Sequence, residues 1–177
     1  DPVLPVVRVL RPQALRVDLH PETTGEFTAL AGDAFDRRDL FWLSARVPDD
    51  APWGPTEDAI DWPAALRVMA AEAWLGSTEG YGPTGNLLKF HVNQEPRITL
   101  LPDGLDVALR TPLNPQGGRG RLFLICNQDP ACRAAYEAAL VEVHTAFAAG
   151  DWPARLRALA AHLRPAVAAD PAAFWSV

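Results

Sequence analysis

Apolar and polar positions recur along the chain in patterns that divide it into elements. Leu4–Leu10 is an apolar run interrupted by Pro5 and reads as a strand. Because proline removes a ladder donor, an edge position is expected for it. Ala14–Leu19 alternates apolar and polar, the period-2 pattern of a half-buried strand. Pro21 ends that run, and Glu22–Leu30 reads as a short helix. Asp36–Val47 puts Leu40, Leu43 and Val47 on one helical stripe, and the breakers Pro48, Pro52, Gly54 and Pro55 then make a surface connection.

Asp61-Trp62-Pro63 opens the best-marked helix. Aspartate caps the free N–H groups of a first turn, and proline there forfeits a donor that had no partner anyway. Leu66, Met69, Ala70, Ala73 and Trp74 follow at i, i+3, i+4, i+7 and i+8, a stripe that faces a core, and Gly76 suits the left-handed residue after the last turn. Asn86–Val92 and Arg97–Leu101 read as a hairpin turned by Asn93–Pro96, and Pro112–Gly120 as a Gly- and Pro-rich loop. Leu122–Ile125 is a short apolar run that fits a strand or a buried helix equally. Asp129-Pro130 repeats the cap-then-proline start for a helix to about Ala149, with Tyr136, Leu140, Val143 and Phe147 on its apolar face. Asp151-Trp152-Pro153 is a third copy, opening a helix to about Leu163. Three such helices, with a short loop between the last two, predict an antiparallel helical layer. The fold class expected is α+β, mainly helical with short β-hairpins, as one domain over residues 1–177.

Composition narrows the picture. At 177 residues the chain has the length of one domain with one substantial core. Its 49% hydrophobic and 21% charged residues are those of a globular protein and argue against wholesale disorder. A net charge of −6 implies no basic face and speaks against a nucleic-acid partner. No apolar run reaches the roughly 18 residues a membrane span needs. Lys89 is the only lysine, and the four histidines are scattered without metal-ligand spacing.

The candidate chemistry gathers around Gly76–Asn86, a loop with four glycines, one proline and a single acid, Glu79. Beyond it the run Arg97–Asp106 brings a second carboxylate, Asp106. Two carboxylates and the Asn86 amide on loops and strand ends suit divalent-metal and phosphate chemistry. The bland alternatives are a solvated loop acid for Glu79, a strand-entry residue for Asn86 and a turn residue for Asp106. Cys126 and Cys132, the only cysteines, are six apart and read either as a small disulfide loop or as two buried thiols; without a nearby histidine they make a poor zinc site.

The order helix, short loop ending in acid-Gly-Tyr, Asn, two strands, then Leu-Pro-x-Gly-Leu-Asp resembles the CotH family, the spore coat protein H group of atypical secretory kinase-like proteins. There the loop usually reads Trp-Asp-Gly-Tyr, with Asn at the following strand and then Pro-Trp-(Gly/Asp)-x-Asp. The segments Val17–Glu22, Asp36–Leu40 and Ile60–Trp62 resemble the family's connecting segment, and the Asp129–Tyr136 helix its C-terminal part, so the likeness runs from about Val17 to about Pro171. Two positions depart from the pattern: Glu79 stands where the family has its presumed catalytic Asp, and Asp103 where it has Trp.

The resemblance implies a protein-kinase-like C-terminal lobe, with residues 1–16 as the end or remnant of an N-terminal lobe that is mostly absent. It implies Mg-ATP-dependent (or Mn-dependent) phosphorylation of a Ser/Thr-rich secreted or coat protein. Glu79 would be the base, Asn86 and Asp106 the metal ligands, with ATP and the acceptor protein as partners. It implies a secreted or cell-envelope location, and because such compartments oxidise thiols it favours the Cys126–Cys132 bridge. The family's nucleotide-gripping lysine belongs to the N-terminal lobe and has no counterpart in residues 1–16, so weak or fragmentary activity is expected. A non-catalytic binding or assembly module of the envelope or spore coat is the alternative. A carbohydrate-active enzyme built on Glu79 and Asp106 is a third reading.

Overall fold

The chain was analysed as a computed structural model that describes residues 6–10, 28–31, 35, 38–47, 52–84, 88–92, 97–102, 105, 108–109 and 113–170. Two compact units are present, residues 1–143 and residues 144–177.

The first unit combines a four-stranded antiparallel sheet with helices, an α+β arrangement. Strands β1 (Val6–Leu10), β2 (Thr28–Ala31), β3 (Leu88–Val92) and β4 (Ile98–Leu100) lie in the order β2-β1-β3-β4. The apolar run at the start is therefore an internal strand, against the edge position expected from Pro5. The physical reason is placement: Pro5 precedes the first strand residue, so it removes no donor within Val6–Leu10. Thr28–Ala31 is strand where a helix was expected as far as Leu30; pairing of Thr28, Ala29 and Ala31 with Val9, Arg8 and Val7, with an irregularity at Val7/Arg8, outweighs local helical preference. The β3–β4 hairpin forms as expected, with Phe90 opposite Leu100 and Val92 opposite Ile98. The expected strand at 14–19 and the hairpin's turn at 93–96 lie outside the described residues.

Helix α1 (Arg38–Arg46) buries Leu40 and Leu43, and Val47 beside it is also buried. A single turn, α2 (Trp53–Thr56), occurs within the connection at 48–55. Thr56 then holds two groups together: its hydroxyl donates to the Trp53 carbonyl (2.6 Å) and accepts from the Trp62 indole N–H (3.0 Å). Ile60 pairs with Ile98 in parallel, through Ile98 N–H to Ala59 O and Asp61 N–H to Ile98 O, both 2.8 Å. That bridge fixes the sheet edge against the start of helix α3 (Trp62–Leu75).

Helix α3 is the centre of the unit. Asp61 Oδ1 accepts from Ala64 N–H at 3.2 Å, proline occupies the first turn, and Gly76 ends the helix at φ 64 with its N–H on the last-turn carbonyls. The start and the stop read from sequence are both present. The buried arc differs by a small rotation. Trp62, Ala65, Leu66, Met69, Ala70, Glu72 and Ala73 are buried, while Trp74 is 40% exposed. The row Ala65–Met69–Glu72, spaced i, i+4, i+7, lies inside, which puts Trp74 at the rim.

Past α4 (Tyr81–Thr84) and the hairpin, the run left open at Leu122–Ile125 is helical, as α5 (Arg121–Gln128). Leu122, Phe123, Ile125 and Cys126 are buried and Leu124 is exposed, a period a strand cannot produce. Helix α6 (Pro130–Ala148) follows at once, its first turn capped by Asp129 Oδ1, which accepts from Ala131 and Cys132 N–H at 2.8 and 3.0 Å. Cys126 and Cys132, both buried, are bridged, with sulfurs 2.05 Å and Cα atoms 5.0 Å apart. The bridge ties the end of α5 to the first turn of α6.

In the second unit, helix α7 (Trp152–Ala169) starts at the expected Asp151, whose Oδ1 accepts from Ala154 N–H at 3.1 Å, and continues six residues past Leu163 with Pro165 inside it. Trp152 stacks on Phe147 (centroids 4.7 Å) and donates its indole N–H to the Phe147 carbonyl at 2.6 Å. Gly150 is needed there, since a Cβ would meet the Trp152 ring at 2.5 Å. No side chain of α7 is buried, and Leu156, Leu159 and Leu163 are exposed.

Candidate functional site

The segment that follows α3 is packed rather than open. After Gly76, the Ser77 N–H returns to the Glu72 carbonyl at 2.9 Å, and Thr78-Glu79 make an exposed turn. Gly80, Tyr81 and Gly82 then lie directly on the helix. A Cβ on Gly80 would meet the Glu72 side chain at 2.9 Å, and one on Gly82 would meet Met69 Cβ at 2.8 Å. Both glycines are therefore required by close approach to α3. Gly120 is the third of the kind: a Cβ there would meet the Tyr81 carbonyl oxygen at 2.6 Å. The Arg119 and Gly120 N–H groups both donate to the Gly82 carbonyl, at 3.1 and 3.3 Å.

Under this segment sits Glu72, 1% exposed. Its Oε2 accepts from Gly82 N–H at 3.0 Å. Burial pushes its carboxyl up to about 7, and backbone hydrogen bonds from Gly82 and Tyr81 pull the other way without offsetting it. Around it the Tyr81 hydroxyl accepts from Leu122 N–H at 3.1 Å, and the Tyr136 hydroxyl donates to the Pro115 carbonyl at 2.7 Å. Burial, and then the charge of Glu72, raise the Tyr136 phenol well above the ordinary tyrosine range. Tyr136 meets Phe123 edge to face, centroids 5.3 Å apart. Four helices and the 113–120 loop thus converge on one buried carboxylate.

Of the sequence-derived site residues, Glu79 is placed on the surface at the tip of this corner, seven residues beyond Glu72. Asn86, Asp103 and Asp106 lie outside the described residues. Leu109 meets the last residue of α3, its N–H donating to Leu75 O at 2.6 Å. Leu109 holds φ 64, the one positive φ outside glycine among the described residues, and is 76% exposed. Sequence reasoning missed Glu72. The available signal was a single acid inside the apolar run Met69–Trp74, three residues from Met69 and so beside the core stripe.

A second feature is a groove of about 560 Å³ between α2, the start of α3 and α6. Trp53, Ile60, Trp62, Leu66 and Ala139 form its apolar wall. Arg67 and Glu142 close its rim through an exposed pair, Arg67 Nε lying 3.1 Å from both carboxylate oxygens. Among the described residues no group of three or more His, Cys, Asp or Glu could hold a metal ion.

Fold and site together define an α+β domain with a Gly-Tyr-Gly corner sealed over a buried acid. Compared with known proteins, the chain matches no family model, no curated protein and no solved structure.

Proposed function

We propose that the chain is a kinase-C-lobe-like domain of the kind the CotH resemblance implies, using Mg²⁺ or Mn²⁺ with ATP to phosphorylate a Ser/Thr-rich protein outside the cytoplasm. The observation that carries this reading is the order of parts after α3. A capped helix ends in a tightly packed turn that presents one acid, Glu79, to solvent, and the β3–β4 hairpin comes after the short helix α4. Phosphoryl transfer asks little covalent chemistry of the protein. It needs a carboxylate aimed at the acceptor hydroxyl and metal ligands near the phosphates, which are the roles of Glu79, Asn86 and Asp106 in this reading.

The Cys126–Cys132 bridge supports a secreted or envelope location, since disulfides persist where thiols are oxidised. No helix among the described residues is long and apolar enough to cross a membrane.

Turnover by these 177 residues is expected to be low. The only lysine, Lys89, lies in β3, downstream of Glu79, and Glu79 is one methylene longer than the family's acid. A reacting group displaced by about 1 Å can cost about 10²-fold. Incubating the chain with ATP, Mn²⁺ and a Ser-rich peptide tests this. Phosphopeptide at or near background is expected; ready turnover that Asp106→Ala abolishes would show that neither feature limits the chemistry. The groove favours a second reading, a binding or assembly module, because its apolar wall and charged rim are what a protein-binding surface presents.

A further inference from the structure

The Gly80–Gly82 segment rests on an ionisable group that no role in phosphotransfer requires. Glu72 is buried at 1% exposure beneath Gly80, whose missing Cβ allows its side chain to lie against the backbone, while the missing Cβ of Gly82 makes room for Met69. Its carboxylate takes the Gly82 N–H at 3.0 Å, and the Gly82 carbonyl in turn takes the Arg119 and Gly120 N–H groups. One carboxyl therefore sits at the root of a hydrogen-bonded chain running from α3 through the segment to the head of α5. We propose that Glu72 is a proton-operated latch: protonated, it lets the Gly80–Gly82 segment lie closed on α3; ionised, it draws water beneath the segment, which lifts and carries Glu79 with it.

A buried carboxylate with one or two backbone donors is poorly compensated, and the cheapest relief is to admit water from the nearest side. That side is the glycine segment, because the rest of α3 is held by the core through Leu66, Met69 and Ala70. Tyr81 opposes the lift: it is buried, and its hydroxyl accepts from Leu122 N–H, so the open form remains the minor one. Among the described residues, the titratable groups near Glu72 are Tyr81 from α4 and Tyr136 from α6, and the buried cation at the head of α5 is Arg121. Phenols ordinarily ionise near pH 10, and burial raises that of Tyr136 further, so between pH 5 and 8 Glu72 is the acid among these described residues that changes state.

The direction follows from linkage. Closed, Glu72 titrates near 7; opened to water, near its ordinary value of 4.5. Closing thus binds a proton within that window, and opening grows as pH rises through it, levelling off above about 7. Any consequence for phosphotransfer rests on the reading of Glu79 given above. The latch itself does not.

Amide hydrogen exchange of the whole chain at pH 5 and pH 8, corrected for intrinsic rates, tests it without any activity. The Gly82, Arg119 and Gly120 amides should lose protection on the order of 10²-fold at the higher pH. Those of Met69 and Ala70 in α3 and Ala139 in α6, which wait on global unfolding, should stay better protected than these three at both pH values. In Glu72→Gln, which keeps an acceptor for Gly82 but cannot ionise, the contrast between pH 5 and pH 8 should disappear. Protection that is flat with pH at Gly82 overturns the latch, as do Gly82, Arg119 and Gly120 amides as well protected at pH 8 as those of Met69, Ala70 and Ala139. The wild-type comparison stands alone if the glutamine variant does not fold. Failure of the phosphotransfer reading would leave these exchange rates unchanged.

Discussion

Glu72 sets the energetic character of the corner that carries Glu79. A folded-state carboxyl raised to about 7 from 4.5 binds a proton more tightly than the unfolded chain does. Its contribution to stability is therefore fullest below about pH 4.5 and is lost as pH rises through 7, opposite in sign to a salt-bridged acid. One pKa unit is about 1.4 kcal/mol, so the penalty developed between pH 5 and 8 is about 2–3 kcal/mol. Urea denaturation of wild type and Glu72→Gln should show the glutamine protein gaining on wild type by about that amount over this range. Equal pH dependence in both would mean the carboxyl is hydrated in the native state. The residue escaped sequence reasoning because a stripe drawn through Leu66, Met69, Ala70 and Ala73 extends as readily to Trp74 as to Glu72. Apolarity chose the tryptophan; backbone donors from the following turn, which no periodicity encodes, chose the glutamate.

Among the elements, those bounded by chemistry were the most legible. Asp61 and Asp151 each cap the third residue after them, Asp129 caps Cys132, and Gly76 takes the left-handed position, all set by local bonding that tertiary structure had only to accept. Elements defined by partners were less so. The strand at Thr28–Ala31 exists through pairing with Val7–Val9, and the internal place of β1 depends on β3, some eighty residues away. The Leu122–Ile125 run is helical because the Tyr81 hydroxyl receives Leu122 N–H and the Cys126–Cys132 bridge ties it to the next helix. That bridge closes a short loop, for which chain entropy gives about 2 kcal/mol. Reduction should lower the melting temperature accordingly, and alkylating reagent should label neither cysteine in the unreduced native protein. Labelling of both would remove the bridge from the account.

On the scale of the whole molecule, the α+β class is legible from the mixture of period-2 and helical runs, and the Gly-rich loop from its composition. The reason for its glycines is not. In the sequence Gly80 and Gly82 are two of four glycines in a loop, yet each is required by the approach of Glu72 or Met69 within 3 Å of where a Cβ would stand. The corner is thus a packed mount for an exposed acid. Only Glu79 of the expected site is described, and the reading of the chain as a kinase-like lobe turns on its metal ligands. Calorimetric titration of Mn²⁺ in the presence of ATP, on wild type and Asp106→Ala, tests that most directly. The account predicts a saturable isotherm for wild type that weakens at least tenfold in the variant, since one or two carboxylates and the phosphates hold such a metal together. An isotherm unchanged by Asp106→Ala, or no binding by either protein, would contradict it and leave the groove beside Trp53 as the working surface of a binding module.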